Sequence, residues 1–504
     1  MENLPAVLPP SLEFPEPERA VLSTRRTVSV KPTTGTSVTS ASSQDIIQFR
    51  LPNTGLLASC YLKGKLKNTG ITAGSNATNS FAVNTTEPVV DEYAPSASWI
   101  RRMVVKASDG TELSNVNNYS RFCSVMARFK NDKEYMKNQG AIKEGGGYND
   151  DSDIINAGFN SVAVDEGGST DHTAGLIGVS LHNNAKDNFD RLNKDQDDQF
   201  IHEFQSGILA SNKQGEYMLP LALMGSGMNL ELTCNDVGEV FRCVPTSEAG
   251  KLTGNALDIH PATGASVDTY DLLDLELVCD LVFMPPEIMS ELSRKMCNGL
   301  KIVCDNVRQQ QNAVTQQDNT IILNQHARSV KSIIAGVKNS ADGNNSRREE
   351  NEYYKVGTAG GSSVSKIQFS VGSEQVPANP ISFGAQSYME LEKAFKPIYG
   401  EDFKMSNSVD KASYNKTHKT DSAGAGSGGA GVHAGSALFG VNLQSHPEMP
   451  SVLSGKSASA GSIPISLNLE FDGSSSLSNN VLETFIISDT VVELLADGSA
   501  LVSK

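Results

Sequence analysis

The chain has 504 residues, with 42 Lys and Arg against 58 Asp and Glu, a formal net charge of −16, and 38% hydrophobic residues. That composition excludes collagen, a coiled coil and wholesale disorder, and so acidic a chain lacks the concentrated Lys and Arg of a protein that grips phosphate backbones. The apolar content suffices for sizeable cores, while 43 Gly point to many turns and loops.

In chain order, Met1–Pro17 (MENLPAVLPPSLEFPEP) has five prolines and no basic stretch ahead of an apolar one. A secretory signal is therefore not expected, and residues 1–20 read as an extended arm. No apolar run reaches the ~18–20 residues that a membrane-crossing helix needs. Strands with one buried side place an apolar residue at every second position. That pattern holds for Ile47, Phe49 and Leu51, for Ala58, Cys60, Leu62 and Leu66, for Ile177, Val179 and Leu181, and for Met228, Leu230, Leu232 and Cys234. In Leu273–Phe283 it places Leu273, Leu275, Leu277, Cys279, Leu281 and Phe283 on one face. Further along it recurs at Ile367, Phe369 and Val371, at Phe439, Val441 and Leu443, and at Ile463, Ile465, Leu467, Leu469 and Phe471. Many such segments divided by Gly, Ser and Asn indicate antiparallel sandwiches rather than a parallel α/β sheet.

Three helices are expected. Asn118–Lys137 carries Tyr119, Phe122, Val125, Met126, Phe129 and Met136 at helical spacing. Pro285–Gly299 carries Ile288, Met289, Leu292 and Met296, and Gln386–Lys396 carries Tyr388, Leu391, Ala394 and Phe395 and is stopped by Pro397. Their apolar stripes should pack on sheet edges.

The elements repeat in order. The strand pair around Ile47 and Leu62 matches that around Ile322 and Ile334. Val104 and the helix ending near Phe129 match Ile367 and the helix ending at Phe395. Thr173–Leu181 matches Gly435–Leu443, and Leu230 and Leu277 match Leu467 and Ile486. The expected organisation is an arm at 1–20, a first β domain at 21–284, a linker helix at 285–299 and a second β domain at 300–504. Long polar insertions at Asn68–Ser98, Gly140–Asp171, Asn235–Val267, Lys338–Ser365 and Glu401–His433 follow corresponding strands and should leave from the same end of each unit.

The segments Phe204–Asn235 (FQSGILASNKQGEYMLPLALMGSGMNLELTCN) and Tyr270–Leu292 (YDLLDLELVCDLVFMPPEIMSEL) resemble the double jelly-roll major capsid proteins of the adenovirus and tectivirus-like lineage, most of all those of virophages and polinton-like viruses. The resemblance spans roughly Val21–Val492 and rests on order, spacing and texture. It implies an all-β chain of two tandem eight-stranded antiparallel jelly rolls, with a few short helices and long loops. It also implies a non-enzymatic structural protein that forms homotrimeric, pseudo-hexagonal capsomers of an icosahedral double-stranded DNA virus. Expected partners are copies of itself, neighbouring capsomers, penton and minor capsid proteins, with no sequence-specific nucleic-acid binding. The expected location is the virion, after synthesis in the host cytoplasm and assembly in the cytoplasm or nucleus. The alternative is a minor capsid or spike protein, or a lectin-like adhesin, that binds a receptor or glycan. A β-sandwich carbohydrate enzyme is a third reading.

Chemistry-bearing motifs are weak. LPNTG at Leu51–Gly55 lies far from the C-terminus and reads as a turn, not a sortase site. Gly424, Gly426 and Gly429 fit GxGxxG without a βαβ context, and Asn149, Asp151 and Asp153 resemble a calcium loop except that Ile154 stands where its turn glycine belongs. The chain has no HExxH, zinc-spaced Cys pair, phosphate-binding GxxxxGK[ST] or GxSxG. No catalytic, cofactor-binding or metal-ligating residue is assigned, and no cofactor is expected. The seven cysteines, Cys60, Cys123, Cys234, Cys243, Cys279, Cys297 and Cys304, read as reduced, buried thiols of a cytosolic or nuclear product, so the sequons at Asn76, Asn84, Asn118 and Asn415 carry no weight. Arg101 and Arg102 read as intersubunit or loop pairing rather than as a DNA contact.

Overall fold

The computed structural model of the chain describes residues 23–72, 86–89, 91, 93–132, 135, 139–144, 197–210, 218–225, 227–240, 242–245, 266–297, 299–339, 353–355, 363–409, 411–415, 435–446, 453–458, 464–472, 477, 480–495 and 499–503. The first part contributes β1 (Thr24–Val30), β2 (Ile46–Arg50), β3 (Leu56–Thr72), β4 (Thr86–Val89), β5 (Ile100–Lys106), β6 (Glu112–Asn117), β7 (Asp197–His202), β8 (Asn229–Cys234), β9 (Arg242–Pro245) and β10 (Ser266–Phe283). The second contributes β11 (Leu300–Ala313), β12 (Asp318–Leu323), β13 (Val330–Asn339), β14 (Ser363–Val371), β15 (Glu374–Ser382), β16 (Leu438–Asn442), β17 (Ile465–Asp472), β18 (Asn480–Leu494) and β19 (Ala500–Ser503). Three helices of more than one turn accompany them among the described residues: α1 (Tyr119–Lys130), α2 (Pro286–Met296) and α3 (Ala385–Tyr399).

Two sheets in the first part run β1-β10-β3-β7 and β2-β8-β5-β6, and two in the second run β11-β18-β13-β16 and β12-β17-β14-β15, all antiparallel. With β4, β9 and β19 set aside and eight strands ranked in each part, both read 1-8-3-6 and 2-7-4-5. Two four-stranded sheets connected in that order form a jelly roll. The duplication expected from the sequence is thus present strand by strand in the topology.

Alternation explains the cores. Ile47, Phe49, Leu230, Leu232, Leu277 and Cys279 are fully buried in the first sandwich, as are Ile367, Phe369, Ile465, Leu467 and Ile486 in the second. Gly64 lies at a close approach, where a Cβ would come 2.6 Å from Leu275 Cδ2. LPNTG forms the turn between β2 and β3, as expected.

Several expectations are corrected. In β10 the buried face is Leu272, Leu275, Leu277, Cys279 and Leu281, with Leu273 only half-buried. The register shifts between Leu273 and Glu276, where Asp274 takes φ 51, and a bulge of this kind reverses the facing of the residues before it. The strand that occupies the sixth rank of the first sandwich, matching β16, is β7 at Asp197–His202. Thr173–Leu181, matched to it by sequence, lies outside the described residues together with Ile177, Val179 and Leu181. β16 buries Leu438 and Gly440 as well as the alternating Phe439 and Val441.

α1 ends at Lys130, not Lys137, because Asn131 is extended. α3 runs through Pro397 to Tyr399, since Pro397 and Ile398 are buried and their packing outweighs one missing N–H. The linker helix α2 does not pack its stripe: only Met296 is buried, and Ile288 is 39% exposed. Cys297 is likewise exposed, whereas Cys60, Cys123, Cys234, Cys279 and Cys304 are buried free thiols.

Described strands that border some of the insertions end together. Thr72 at the end of β3 pairs with Ser266 at the start of β10, and Asn339 pairs with Asn480 at the equivalent place in the second sandwich. β4 from one insertion pairs antiparallel with β9 from another. Asn149, Asp151, Asp153, Gly424, Gly426 and Gly429 lie outside the described residues.

Candidate functional site

Among the described residues no group of three or more His, Cys, Asp or Glu side chains is placed to hold a metal ion. The concentrated chemistry of the molecule is instead at the junction of the two sandwiches. α1 lies there because its apolar residues are spread over more than one side. Tyr119 turns into the first sandwich, while Phe122 reaches Phe485 of β18 with ring centroids 6.0 Å apart and Phe129 reaches Phe395 of α3 at 5.3 Å. Arg128, 1% exposed, stacks over Tyr93 at 4.4 Å and donates to the Gly435 carbonyl at 2.6 Å. The chain either side of α1 adds polar ties: Asn118 donates to Gln309 at 2.9 Å, and Gly207 N donates to the Asp305 carbonyl at 3.0 Å.

Two buried charge clusters organise the second sandwich's side of the joint. Glu483, fully buried, accepts from Gln309 (2.5 Å), Gln311 (3.0 Å) and the Tyr353 hydroxyl (2.8 Å) and faces Arg121 of α1 at 3.5 Å. Burial pushes its carboxyl up, but Lys338, Arg121, Gln311 and Tyr353 outweigh that and hold it at about 2. Lys331, with no exposed side chain, pairs with Asp305 of β11 and with Asp489 of β18, the latter at 3.1 Å. Ser329 donates to Asp489 at 2.6 Å. Burial keeps the Asp489 carboxyl above its ordinary range despite Lys331.

A second buried network sits in the first sandwich and has the composition of a catalytic site. His202 places Nδ1 3.0 Å from Ser96 Oγ and Nε2 3.0 Å from the Tyr119 hydroxyl, and Ser96 donates to Glu144 at 3.1 Å. The Tyr119 hydroxyl accepts from Gln205 N at 2.9 Å. The wiring differs from a nucleophile–base–acid triad. The carboxylate holds the serine rather than the imidazole, and the ring is only 3% exposed. Burial, with Lys143 nearby, lowers the His202 pKa to about 3, and burial raises Glu144 to about 7. A ring that stays neutral and closed off serves as a structural hydrogen-bonding group.

Sequence reasoning missed His202, Glu483, Lys331, Asp305 and Asp489. A charge within an otherwise apolar strand (Lys331 in VKSIIAGV, Asp489 in FIISDTVV) is the only pointer it offered. Arg102 pairs within its own sheet, bonding Asn115 at 3.0 Å and facing Glu112 at 3.6 Å, rather than reaching across the junction.

Comparison with family models finds no match, and comparison with curated proteins finds none either. Solved structures do match. The Faustovirus major capsid protein aligns with TM-score 0.58 and 11% identity over 97% of this chain and 93% of that one. A chain of the Sputnik virophage structure aligns with TM-score 0.53 and 10% identity over 100% of this chain and 93% of that one. The chain folds as a double jelly roll. VP54 of PBCV-1, fitted into a reconstruction of Sputnik, gives TM-score 0.52 and 11% identity over 98% and 99% of the two chains. The likeness is one of fold, and it runs through both jelly rolls and the joint between them. The double jelly roll here is mostly strand, and among its described residues no helix is long and apolar enough to cross a membrane.

Proposed function

We propose that this double jelly roll is the major capsid protein of an icosahedral double-stranded DNA virus. Three copies form a pseudo-hexagonal capsomer of six jelly rolls, and its work is assembly rather than catalysis. The observation that carries this reading is the tandem of two jelly rolls with one strand order, shared over nearly the whole chain with the Faustovirus major capsid protein. The exposed outer strands β1 and β15 support it, since unpaired edges need neighbours. On this reading residues 1–20 are an arm toward adjacent capsomers or an inner layer, 21–284 and 300–504 the two jelly rolls, and 285–299 the linker. Penton and minor capsid proteins are further partners, and the site of action is the virion.

Purified particles test the reading. The chain should dominate their protein content on a gel, and negative-stain images of the isolated protein should show pseudo-hexagonal trimers. A minor band in particles, or a protein that stays monomeric at all concentrations, would overturn it.

A further inference from the structure

We propose that Lys331 and Asp305 become joined by an amide bond within the folded chain, with Asp489 as the acid and base that assists the step. This covalent modification stands apart from the capsid reading above and does not depend on it.

The sheet supplies the geometry. Asp305 of β11 and Asp489 of β18 are directly opposed in the strand register. Like charges in that position repel. Lys331 belongs to β13, on the other side of β18, at the point where the register shifts between Val330 and Ser332. An irregularity of this kind re-aims a side chain. The Lys331 amine reaches past β18 to touch Asp305, and it lies 3.1 Å from Asp489 Oδ1. The side chains of Lys331, Asp305 and Asp489 are 0%, 6% and 2% exposed, so bulk water is shut out of the cluster.

The two carboxyls are held differently. Asp489 Oδ2 accepts from the Ser329 hydroxyl at 2.6 Å, and Asp489 N donates to the Ser329 carbonyl at 2.9 Å, so this side chain is anchored. Asp305 Oδ1 takes the contact with Lys331, while its buried Oδ2 accepts no hydrogen bond from any described residue. An ionised carboxylate with an oxygen left so in a dry interior carries a heavy desolvation cost. Amide formation removes one of the two oxygens and both charges of the pair. That difference makes Asp305 the electrophile and Asp489 the proton carrier.

The step balances with no change of oxidation state. A proton passes from the Lys331 ammonium to the Asp305 carboxylate, leaving a neutral amine beside a neutral acid, the forms that burial favours. The Nζ lone pair then forms a bond to Asp305 Cγ. Asp489, whose carboxyl burial holds above its ordinary range, gives its proton to the departing hydroxyl and takes one from the nitrogen. The C–O bond breaks, one water leaves, and Asp489 ends protonated as it began. Fixed contact between amine and acid makes the condensation unimolecular. The product ties the first-ranked strand of the second jelly roll to the third across the strand between them. It also closes residues 305–331, with all of β12, into a ring.

The test weighs the full-length chain intact under denaturing conditions and then maps its peptides. The wild type should be lighter than its sequence by one water. Its digest should contain a branched peptide joining Lys331 to Asp305, with no tryptic cut after Lys331. Lys331→Arg should keep the full mass. In a time course after cell-free synthesis, Asp489→Asn should lose the water about a hundredfold more slowly than the wild type. A wild-type chain at full mass with an unbranched Lys331 peptide means an ion pair only and overturns the proposal. A branch at Asp489, or a lost water that maps to other residues, overturns it as well, and equal rates overturn the role of Asp489. Should a variant fail to fold, the wild-type peptide map decides.

Discussion

At the residue scale, Lys331 is a cation with no exposed side chain, held between Asp305 and Asp489. Removing it alone strands two buried carboxylates, so Lys331→Met should cost roughly 3–5 kcal/mol in denaturant unfolding. A loss under ~1 kcal/mol would mean the cluster is wetter than the geometry indicates. Leu277 and Leu467 are each fully buried. An Asp at either position puts an unpaired carboxylate in a core, and Leu277→Asp and Leu467→Asp should each abolish soluble assembled protein. His202 sets a pH dependence. Its folded pKa, about 3, lies below the ordinary 6.5, so its contribution is whole above 6.5 and is lost as pH falls toward 3. Glu144, which bonds Ser96 beside it, is raised from 4.5 to about 7, so its contribution is whole below 4.5 and is lost as pH rises through 7. Lys143 and Glu203 lie close by as a pair at 2.6 Å. His202→Gln should therefore remove the fall of the urea midpoint on acidification from pH 6.5 to 3, while sparing the fall that Glu144 causes as pH rises from 4.5 through 7.

At the element scale, β10 shows how a local irregularity sets a face. Asp274 at φ 51 carries the bulge that separates the inward set ending at Leu272 from the one starting at Leu275. Asp tolerates this left-handed conformation and a β-branched residue does not. Asp274→Val should cost about 1–2 kcal/mol and Asp274→Gly much less, measured by thermal unfolding. Equal losses would show that the Asp274–Lys65 ion pair, rather than the backbone, matters there. The linker helix α2 behaves differently from α1 and α3. It is amphipathic in sequence, yet Met296 alone is buried, because a connector between two complete sandwiches has no sheet of its own to cover.

At the scale of the whole molecule, the two jelly rolls are one packed body because α1 belongs to both. Phe122 is 1% exposed and bridges to Phe485. Phe122→Ala should remove ~3–5 kcal/mol and resolve calorimetric unfolding into two transitions, one for each jelly roll. A single unchanged transition would place the coupling elsewhere, in the Lys331 and Glu483 clusters.

The periodicity of the chain was enough to establish an all-β duplicated architecture, because a half-buried strand writes its facing into every second residue, as at Ile465–Phe471 and Met228–Cys234. It was also enough to place α1 and α3 at matching points of the two repeats. Facing after the bulge at Asp274 and the identity of the sixth-rank strand were left to the tertiary structure. A register shift alters no residue type, and in β16 Leu438 and Gly440 beside Phe439 and Val441 are buried too, so alternation alone does not single out its counterpart. The junction belongs to tertiary structure entirely. Lys331, Asp305 and Asp489 come from three strands, and His202, Ser96 and Glu144 from three separate segments. Only folding brings such charges close enough to offset the cost of burying them. The length, composition and −16 charge of the opening describe an acidic, glycine-rich chain able to bury sizeable cores. Which of its surfaces are joined inside the chain was decided by packing.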